Sequence, residues 1–307
     1  MINIQPLDLT KPQPDVVHLT YPRYRWRLMC EEPPHAAQFE GLKLTDAFVA
    51  CIDDRAVGLA LLDAGSPQHS RLLSVMVAKP IRSTGVGLQL IAAIEKAARV
   101  RGATQIEAHF LHEPARDPFR ALMRSAGWTA PVPLNFRLAG RADWTTRMGA
   151  DWPRFMNRME SNGFSTTPWA SIDAADREKA DVLVAEQAGN EVIISYKGCE
   201  DFCDEKLSIA IRKNGELVGF IHGESLQQND FHYYSTGYVS KPLQRAGWLI
   251  AGLDDVCRRQ AVEYGPESLA IYETYGTNTR MIDFMRRRLG PVFTWMKERH
   301  KVQKSLI

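Results

Sequence analysis

The chain contains one short motif twice. "VAKPIRSTGVG" starts at Val77 and "VSKPLQRAGWL" starts at Val239, so the two copies are 162 positions apart. A valine, a proline and a glycine keep the same places in both copies, with Gly85 matching Gly247. Self-similarity at one long offset indicates two copies of a folding unit. A chain of 307 residues is long enough for two such domains.

The segments around the two motifs also match. Two apolar runs flank Asp53-Asp54 in the first half and Asn214-Gly215 in the second. Each arrangement predicts a β-hairpin, and Asn-Gly is the strongest two-residue turn signal. After each motif come a helical pattern, a strand, a second helix and a final strand. The helices run toward glycines: Gly102 and Gly127 in the first half, Gly265 and Gly290 in the second.

These elements predict an α/β (α+β) chain of two tandem domains. Each domain is expected to contain a mixed, mostly antiparallel sheet flanked by helices. We place the first domain at residues 1–143, a linker at 144–163 and the second domain at 164–307. The linker contains "DWPRFMNRMESNG", which is typical of a helix. Several prolines interrupt the N-terminal stretch, so its elements are left unassigned.

Charge and cysteine content argue against several classes of protein. Lysine and arginine total 38 and aspartate and glutamate 36, a balance that argues against a nucleic-acid-binding protein. The five cysteines do not suit a disulfide framework, and Cys199 and Cys203 have no second Cys/His pair at zinc spacing, so we expect no metal. The N-terminus lacks the features of a signal peptide, and no apolar run has membrane-spanning length. We therefore expect a cytoplasmic protein that binds no membrane.

Arg82, Gly85 and Gly87 lie where a predicted strand leads into a predicted helix. Glycine lets the backbone approach a ligand, and the free amides and dipole at a helix start favour an anion. Arg82 can add charge-assisted hydrogen bonds to a phosphate. The alternative is a turn whose glycines only allow close packing. A dinucleotide motif follows the first strand of a βαβ unit, and a Walker motif needs Gly-Lys-Ser/Thr, so neither fits.

This order of strands, turn and helix resembles the GNAT superfamily of CoA-dependent N-acyltransferases. The first motif, after three antiparallel strands, is similar to that family's acyl-CoA motif, Arg/Gln-x-x-Gly-x-Gly/Ala. "DPFRALMRSAGW", which ends at Gly127-Trp128, resembles its second motif, so the likeness covers residues 48–137. Residues 207–302 resemble the same family, but Leu249 stands where the last glycine or alanine is expected. The resemblance therefore implies a donor site in the first copy and a degenerate second copy.

The resemblance also assigns roles within the donor site. The turn would bind the pyrophosphate of acetyl-CoA or another acyl-CoA, a co-substrate, through these residues: Arg82, Ser83, Thr84, Gly85, Val86, Gly87 and Leu88. The strands at 73–77 and 106–111 would diverge, and pantetheine would lie between them. Backbone groups of Val75, Met76 and Val77 would pair with it and polarise the thioester carbonyl, as in an oxyanion hole.

The sequence indicates the general acid and base less clearly than it indicates the donor site. Many family members have a tyrosine four residues before Gly-Phe, but here the position holds Met123 in the first copy and Arg286 in the second. Transfer to an amine needs a base, directly or through water. The candidates lie on or just after the strand beside the expected cleft: His109, His112 and Glu113. Trp26 and Tyr24 lie where family members place acceptor-binding helices.

These observations favour an enzyme that transfers an acyl group, in the simplest case acetyl, from CoA to a small-molecule amine. No cysteine lies in an evident Cys/His arrangement, so we expect direct transfer in a ternary complex. One alternative is a non-catalytic acyl-CoA sensor or partner-binding module, which the missing tyrosine favours. Another is an aminoacyl-tRNA-dependent transferase, which the intact CoA turn disfavours. The sequence leaves open which amine is the acceptor and whether the chain forms a homodimer.

Overall fold

The computed structural model describes residues 2–32, 44–63, 66, 68–112, 118–185, 203–226 and 231–307. The chain forms two compact units. The first unit contains Met1–Leu134 together with Arg299–Ile307, and the second unit contains Asn135–Glu298.

Strands and helices follow one another in a series that repeats. The first half of the chain contains β1 (Asn3–Pro6), α1 (Pro22–Leu28), β2 (Leu44–Ile52), β3 (Arg55–Asp63), β4 (His69–Val77), α2 (Val86–Val100), β5 (Gln105–His112), α3 (Pro118–Ser125) and β6 (Val132–Arg141). The second half contains α4 (Asp151–Ser161), β7 (Phe164–Pro168), α5 (Ala174–Ala185), β8 (Ile209–Lys213), β9 (Glu216–Leu226), β10 (Phe231–Val239), α6 (Trp248–Tyr264), β11 (Leu269–Tyr275), α7 (Thr279–Phe284) and β12 (Trp295–Ser305). Short 3-10 helices lie at Pro14–Leu19, Lys79–Ile81, Trp144–Arg147, Trp169–Ser171 and Lys241–Leu243, and a π-helical turn lies at Met285–Leu289.

The sheets of the two units repeat one strand order. In the first unit the order is β1-β2-β3-β4-β5, followed by the part of β12 that starts at Arg299. In the second unit it is β7-β8-β9-β10-β11-β6. β4 pairs with β5, and β10 with β11, in parallel. The other pairs within β1–β4, within β7–β10 and between β6 and β11 are antiparallel. This confirms the predicted fold class.

Both predicted hairpins are present. Asp53 and Asp54 link β2 to β3 with φ values of 48° and 61°, and Asn214 and Gly215 link β8 to β9 with φ values of 52° and 87°. Positive φ at both central residues is the two-residue turn whose twist matches that of antiparallel strands. Asparagine, aspartate and glycine tolerate this conformation best, which explains why these residue types marked the turns.

The final strand of each half of the chain does not join the sheet of its own half, as the chain order suggested. β6 pairs with β11 in the second unit, from Asn135 opposite Tyr275 to Arg141 opposite Leu269. The end of β12 belongs instead to the first unit. The units therefore differ from the predicted domains 1–143 and 164–307, and the predicted linker 144–163 lies inside the second unit. A strand pattern predicts the strand but not its partner, because pairing is a long-range choice.

Each sheet has an apolar layer on both faces. In the first unit, buried residues of α2 such as Leu90, Ile91 and Ile94 pack on one face. The 3-10 helix Pro14–Leu19 and α1 cover the other face. In the second unit, α6 packs on one face and α5, with the segment around Trp169, on the other. The turns that precede α2 and α6 are thereby held at the ends of β4 and β10.

Candidate active site

A β-bulge opens the sheet of the first unit. β4 and β5 pair only from His69 opposite Gln105 to Leu72 opposite Ala108, and then they diverge. On the other side of β4, Leu62 pairs with Leu72 but Leu61 pairs with Ser74, so Leu73 is an extra residue. A bulge bends its strand and increases the local twist. The divergence predicted for the strands at 73–77 and 106–111 is therefore present within the first unit.

The second unit has the same device at the equivalent place. β10 and β11 pair up to Tyr234 opposite Tyr272. Against β9, Tyr234 pairs with Gly223 and Thr236 with His222, so Ser235 is the extra residue. Leu73 and Ser235 are 162 positions apart, as the sequence motifs are. The repeat thus includes the irregular geometry of the cleft as well as the regular elements.

The turn between β4 and α2 presents unused backbone amides. Ser83 and Gly85 have φ values of 68° and 88°, and α2 begins directly afterwards at Val86. Within the part of the chain that the structure describes, the amides of residues 83–88 donate to no backbone or side-chain acceptor. A side chain added at Gly85 would meet no atom within 4 Å. The turn is therefore open and has the polarity that an anion requires.

The arginine of the motif fastens the turn. Arg82 Nε donates to the backbone oxygen of Val77, the last residue of β4, at 3.0 Å. In the second unit, Gln244 Nε2 donates to the backbone oxygen of Val239 at 3.2 Å. Arginine and glutamine are both able to donate to the strand end, so either can hold this turn. Arg82 thus has a structural contact in addition to any contact with phosphate.

The two glycines of the first motif have different surroundings. Gly85 adopts positive φ and faces open space, whereas a Cβ at Gly87 would lie 3.2 Å from Leu122 of α3. Gly87 therefore allows α3 to pack on the first turn of α2. Close packing, one of the two alternatives that the sequence left open, is thus present at Gly87, whereas Gly85 leaves the turn open.

The turn of the second unit is covered. A Cβ at Gly247 would lie 2.8 Å from Cε2 of Phe155, a residue of α4. The amide of Ala246 donates to the backbone oxygen of Leu243 at 3.0 Å. Leu249 packs toward β10, because a Cβ added at Gly237 would lie 3.2 Å from Cδ1 of Leu249. A cavity of about 430 Å³ remains beside the turn, bordered by Phe155 and the exposed side chains of Arg158 and Arg245.

His109 lies in a charged group on one face of the first unit's sheet. Its Nε2 lies 3.1 Å from Oε1 of Glu107, two residues earlier on β5. Arg71 of β4 is opposite Glu107 in the sheet, and its Nε is 3.2 Å from the same oxygen. Lys301 Nζ is 4.0 Å from Oε2. The contact with His109 and the two cations outweigh partial burial and lower the pKa of Glu107 to about 2.

His112 lies on the opposite face of β5 from His109. Its ring stacks on His300 with centroids 4.3 Å apart, near the contact between Phe110 and Phe119. Its Nδ1 is buried and has no hydrogen-bond partner among the described residues. Met123, at the position of the family's tyrosine, is buried in the core. Glu113 lies outside the described residues.

The two residues expected to contact the acceptor have mainly internal contacts. Tyr24 is 6% exposed and packs in the core beneath α1, and its hydroxyl accepts a hydrogen bond from Arg23. Trp26 is half-buried, and its Nε1 donates to the backbone oxygen of Arg23 at 2.9 Å. Tyr24 therefore has little surface to offer a ligand, and the indole N–H of Trp26 already has an acceptor.

The second unit contains a Cys/His contact that the sequence did not indicate. Sγ of Cys203 lies 3.8 Å from Nδ1 of His222 and 2.8 Å from Oγ of Ser208. Burial, together with the nearby Arg177, lowers the pKa of His222 to about 4. A histidine that is this costly to protonate is a poor base for forming a thiolate. This contact therefore does not provide an activated nucleophile.

Two kinds of feature were not found in the part of the chain with described coordinates. No three His, Cys, Asp or Glu side chains are grouped to hold a metal ion. No helix there combines the length and the apolar character needed to span a membrane.

Residues 13–127 match the Acetyltransferase (GNAT) family. A tandem GNAT protein from the clavulanic acid biosynthesis pathway aligns with 100% of this chain and 99% of its own, at 16% identity and a TM-score of 0.61. A GCN5-related N-acetyltransferase from Sphaerobacter thermophilus aligns with 99% of this chain and 96% of its own, at 15% identity and a TM-score of 0.60. No curated protein sequence matches the chain significantly.

The family match covers residues 13–127, which is less than half of the chain, and beyond these residues the likeness to known proteins is one of fold. Over nearly its whole length the chain has the fold of these two solved structures, one of which is a tandem GNAT protein. Enzymes of the GNAT family use an acyl-CoA as co-substrate.

Proposed function

We propose that this chain transfers an acyl group, in the simplest case acetyl, from CoA to the amine of a small molecule. The donor binds in the first unit, transfer is direct within a ternary complex, and the cytoplasm is the expected compartment. The observation that carries the proposal is the combination of strands that diverge after Leu72 and Ala108 with a turn whose amides are unused. One feature can hold pantetheine and the other pyrophosphate.

Both features suit an acyl-CoA. In an extended strand the backbone groups of successive residues point to opposite sides. Those of Met76 face β3, so the groups of Val75 and Val77 on the other side can pair with the amide groups of pantetheine. An N–H group among them can polarise a thioester carbonyl, which develops negative charge as the amine attacks. The amides of residues 83–88 and the positive end of the fifteen-residue helix α2 favour the pyrophosphate.

The second unit is a less suitable donor site. Phe155 packs against Gly247, and the amide of Ala246 already donates a hydrogen bond to the backbone oxygen of Leu243. Leu249 occupies the position of Gly87 and packs toward β10. These contacts favour a stoichiometry of one acyl-CoA per chain. The sequence argument against donor binding rested on Leu249. Phe155, which lies on α4, is a second obstacle to donor binding at this turn.

A donor-binding experiment tests this proposal. Gly85→Asn and Gly85→Asp insert side chains of nearly equal size at a positive-φ position that both residues tolerate. Only aspartate adds a negative charge. At about 5 Å and an effective dielectric constant of about 20, its repulsion of one phosphate charge is roughly 3 kcal/mol, or about a hundredfold in affinity.

Isothermal titration with acetyl-CoA and with CoA is the measurement. We expect one site per wild-type chain, a moderate loss of affinity for Gly85→Asn and a further loss of about a hundredfold for Gly85→Asp. Gly149→Asp is the control, because Gly149 also has positive φ and open space but lies in the second unit. Equal affinity of the two Gly85 variants would rule out the turn as the phosphate site.

The buried Met123 favours one second candidate, a non-catalytic acyl-CoA sensor, because it cannot protonate a leaving thiolate. Release of free CoA thiol from acetyl-CoA, measured across a broad panel of amines, separates the two functions. Thiol release that depends on one amine supports the transferase. Tight donor binding without amine-dependent thiol release across the panel supports the sensor.

A further inference from the structure

Glu107 and His109 share one face of β5 because successive side chains of a strand alternate. Ile106 and Ala108 point to the buried face beneath α2, whereas Glu107 and His109 lie on the other face. His109 is also the first residue of β5 beyond its last pair with β4, at Ala108. Its side chain thus starts where the two strands begin to diverge, next to the proposed donor cleft.

The carboxylate of Glu107 is held from two neighbouring strands. Arg71 approaches Oε1 with both Nε and Nη2 at 3.2 Å, and Lys301 approaches Oε2. The side chain of Glu107 is 24% exposed. Glu107 is the charged group in contact with His109, and Arg71 and Lys301 contact Glu107. An ionised carboxylate in this setting only accepts hydrogen bonds.

The position of Glu107 selects the tautomer of His109. Nε2 is buried and faces Oε1 at 3.1 Å, so a proton on Nε2 is favoured there. The contact is off the line of an ideal hydrogen bond, a geometry that commonly tightens when substrate binds. The other ring nitrogen, Nδ1, then carries a lone pair, and no described residue uses it.

We propose that His109 is the base that takes a proton from the acceptor amine through Nδ1, and that Glu107 is the positioning residue that holds it in that tautomer. This inference rests on the proposed function of the first unit. Sequence reasoning included His109 among the candidates but missed Glu107. The available signal was a carboxylate two residues before a histidine on a strand.

The proposed step balances in atoms and charge. The acceptor ammonium gives one proton to Nδ1 of His109, and the resulting amine attacks the thioester carbonyl. A carbon–nitrogen bond forms and the carbon–sulfur bond breaks. The second proton lost by the nitrogen neutralises the CoA thiolate, so the products are an amide, CoA thiol and one proton released from His109 to solvent.

The tautomer can be observed without knowing the acceptor. The full chain is labelled with ¹⁵N-histidine, and imidazole ¹H–¹⁵N spectra are recorded at pH 8 with and without CoA. The signals of His109 are assigned from their loss in His109→Gln. We expect a single tautomer with the proton on Nε2 in the wild type and tautomer-averaged nitrogen shifts in Glu107→Gln.

Glu273→Gln is the matched control. Glu273 is a partly buried strand carboxylate that is paired with Arg137 in the second unit. The Glu273→Gln variant removes a comparable charge and should leave the His109 signals unchanged. Unchanged His109 signals in Glu107→Gln would overturn the inference, as would a wild-type proton on Nδ1.

Kinetics give the second readout. With an amine found in the panel, we expect His109→Gln to lower kcat by about 10²–10⁴-fold, the usual range for a general base. Glu107→Gln should lower kcat by roughly tenfold without weakening acetyl-CoA binding. Full kcat in His109→Gln contradicts the inference, whereas failure of acetyl-CoA to bind the wild type contradicts the proposed function instead.

Discussion

The ion pair between Lys304 and Glu95 tests whether the end of β12 stabilises the first unit. Lys304 lies on the part of β12 that belongs to this unit, and Glu95 lies on α2. Nζ of Lys304 is 2.9 Å and 2.8 Å from the two carboxylate oxygens of Glu95 and donates to the backbone oxygen of Ala126 at 2.7 Å. Trp128 Nε1 also donates to Glu95 at 2.9 Å. The variant Lys304→Met removes the cation and keeps the apolar stem.

The expected cost follows from burial. The side chain of Glu95 is 8% exposed and that of Lys304 is 25% exposed. Removing one member of a buried pair costs about 3–5 kcal/mol, because the remaining charge loses its compensation. Trp128 and Arg99 still contact Glu95, so we expect about 2–3 kcal/mol. This corresponds to a Tm lower by about 5–10 °C for a unit of this size.

Thermal unfolding followed by tryptophan fluorescence measures this change. Arg287→Met is the control, since Arg287 pairs with Asp283 on an exposed helix surface and should cost less than about 0.5 kcal/mol. The double variant Glu95→Leu, Lys304→Met should regain part of the loss, because no uncompensated charge remains. If Lys304→Met and Arg287→Met have the same Tm, the argument from burial is wrong.

Two further predictions concern protonation. The pKa of Glu107 is lowered from 4.5 to about 2, so its stabilising contribution is complete above pH 4.5 and is lost as the pH falls toward 2. Urea unfolding at pH 7 and pH 3 should show that Glu107→Gln removes about 1–3 kcal/mol of this pH dependence, and identical pH dependence in both proteins would contradict it. Burial raises the pKa of Cys257 to about 12, despite contacts with Tyr272 and Trp144. Iodoacetamide at pH 8 should therefore label exposed Cys30 in the native protein and Cys257 only after unfolding, as read by mass spectrometry.

Local features of the fold were predictable from sequence. Asp53-Asp54 and Asn214-Gly215 predicted hairpin turns because few residues tolerate the left-handed backbone that such turns need. Gly85 and Gly247 marked the start of a helix for the same reason. The spacing of the two motifs predicted two copies, and the second copy repeats even the bulge at Ser235.

The roles of individual site residues were predictable only in part. Nothing in the sequence distinguishes Gly85, which faces open space, from Gly87, which faces Leu122. Tyr24 was a reasonable acceptor contact until its burial was known. Side-chain surroundings depend on which elements pack together, and local patterns do not contain that information.

By itself, the sequence determined the fold class, the twofold repeat and the position of the turn before α2. Each of these follows from short-range rules of backbone conformation and from the alternation of apolar residues. Only the tertiary structure decided that β6 pairs with β11, that Phe155 covers the second turn and that Glu107 is held beside His109. These are contacts between distant segments or between side chains, and their free energy depends on packing that forms only when the chain has folded.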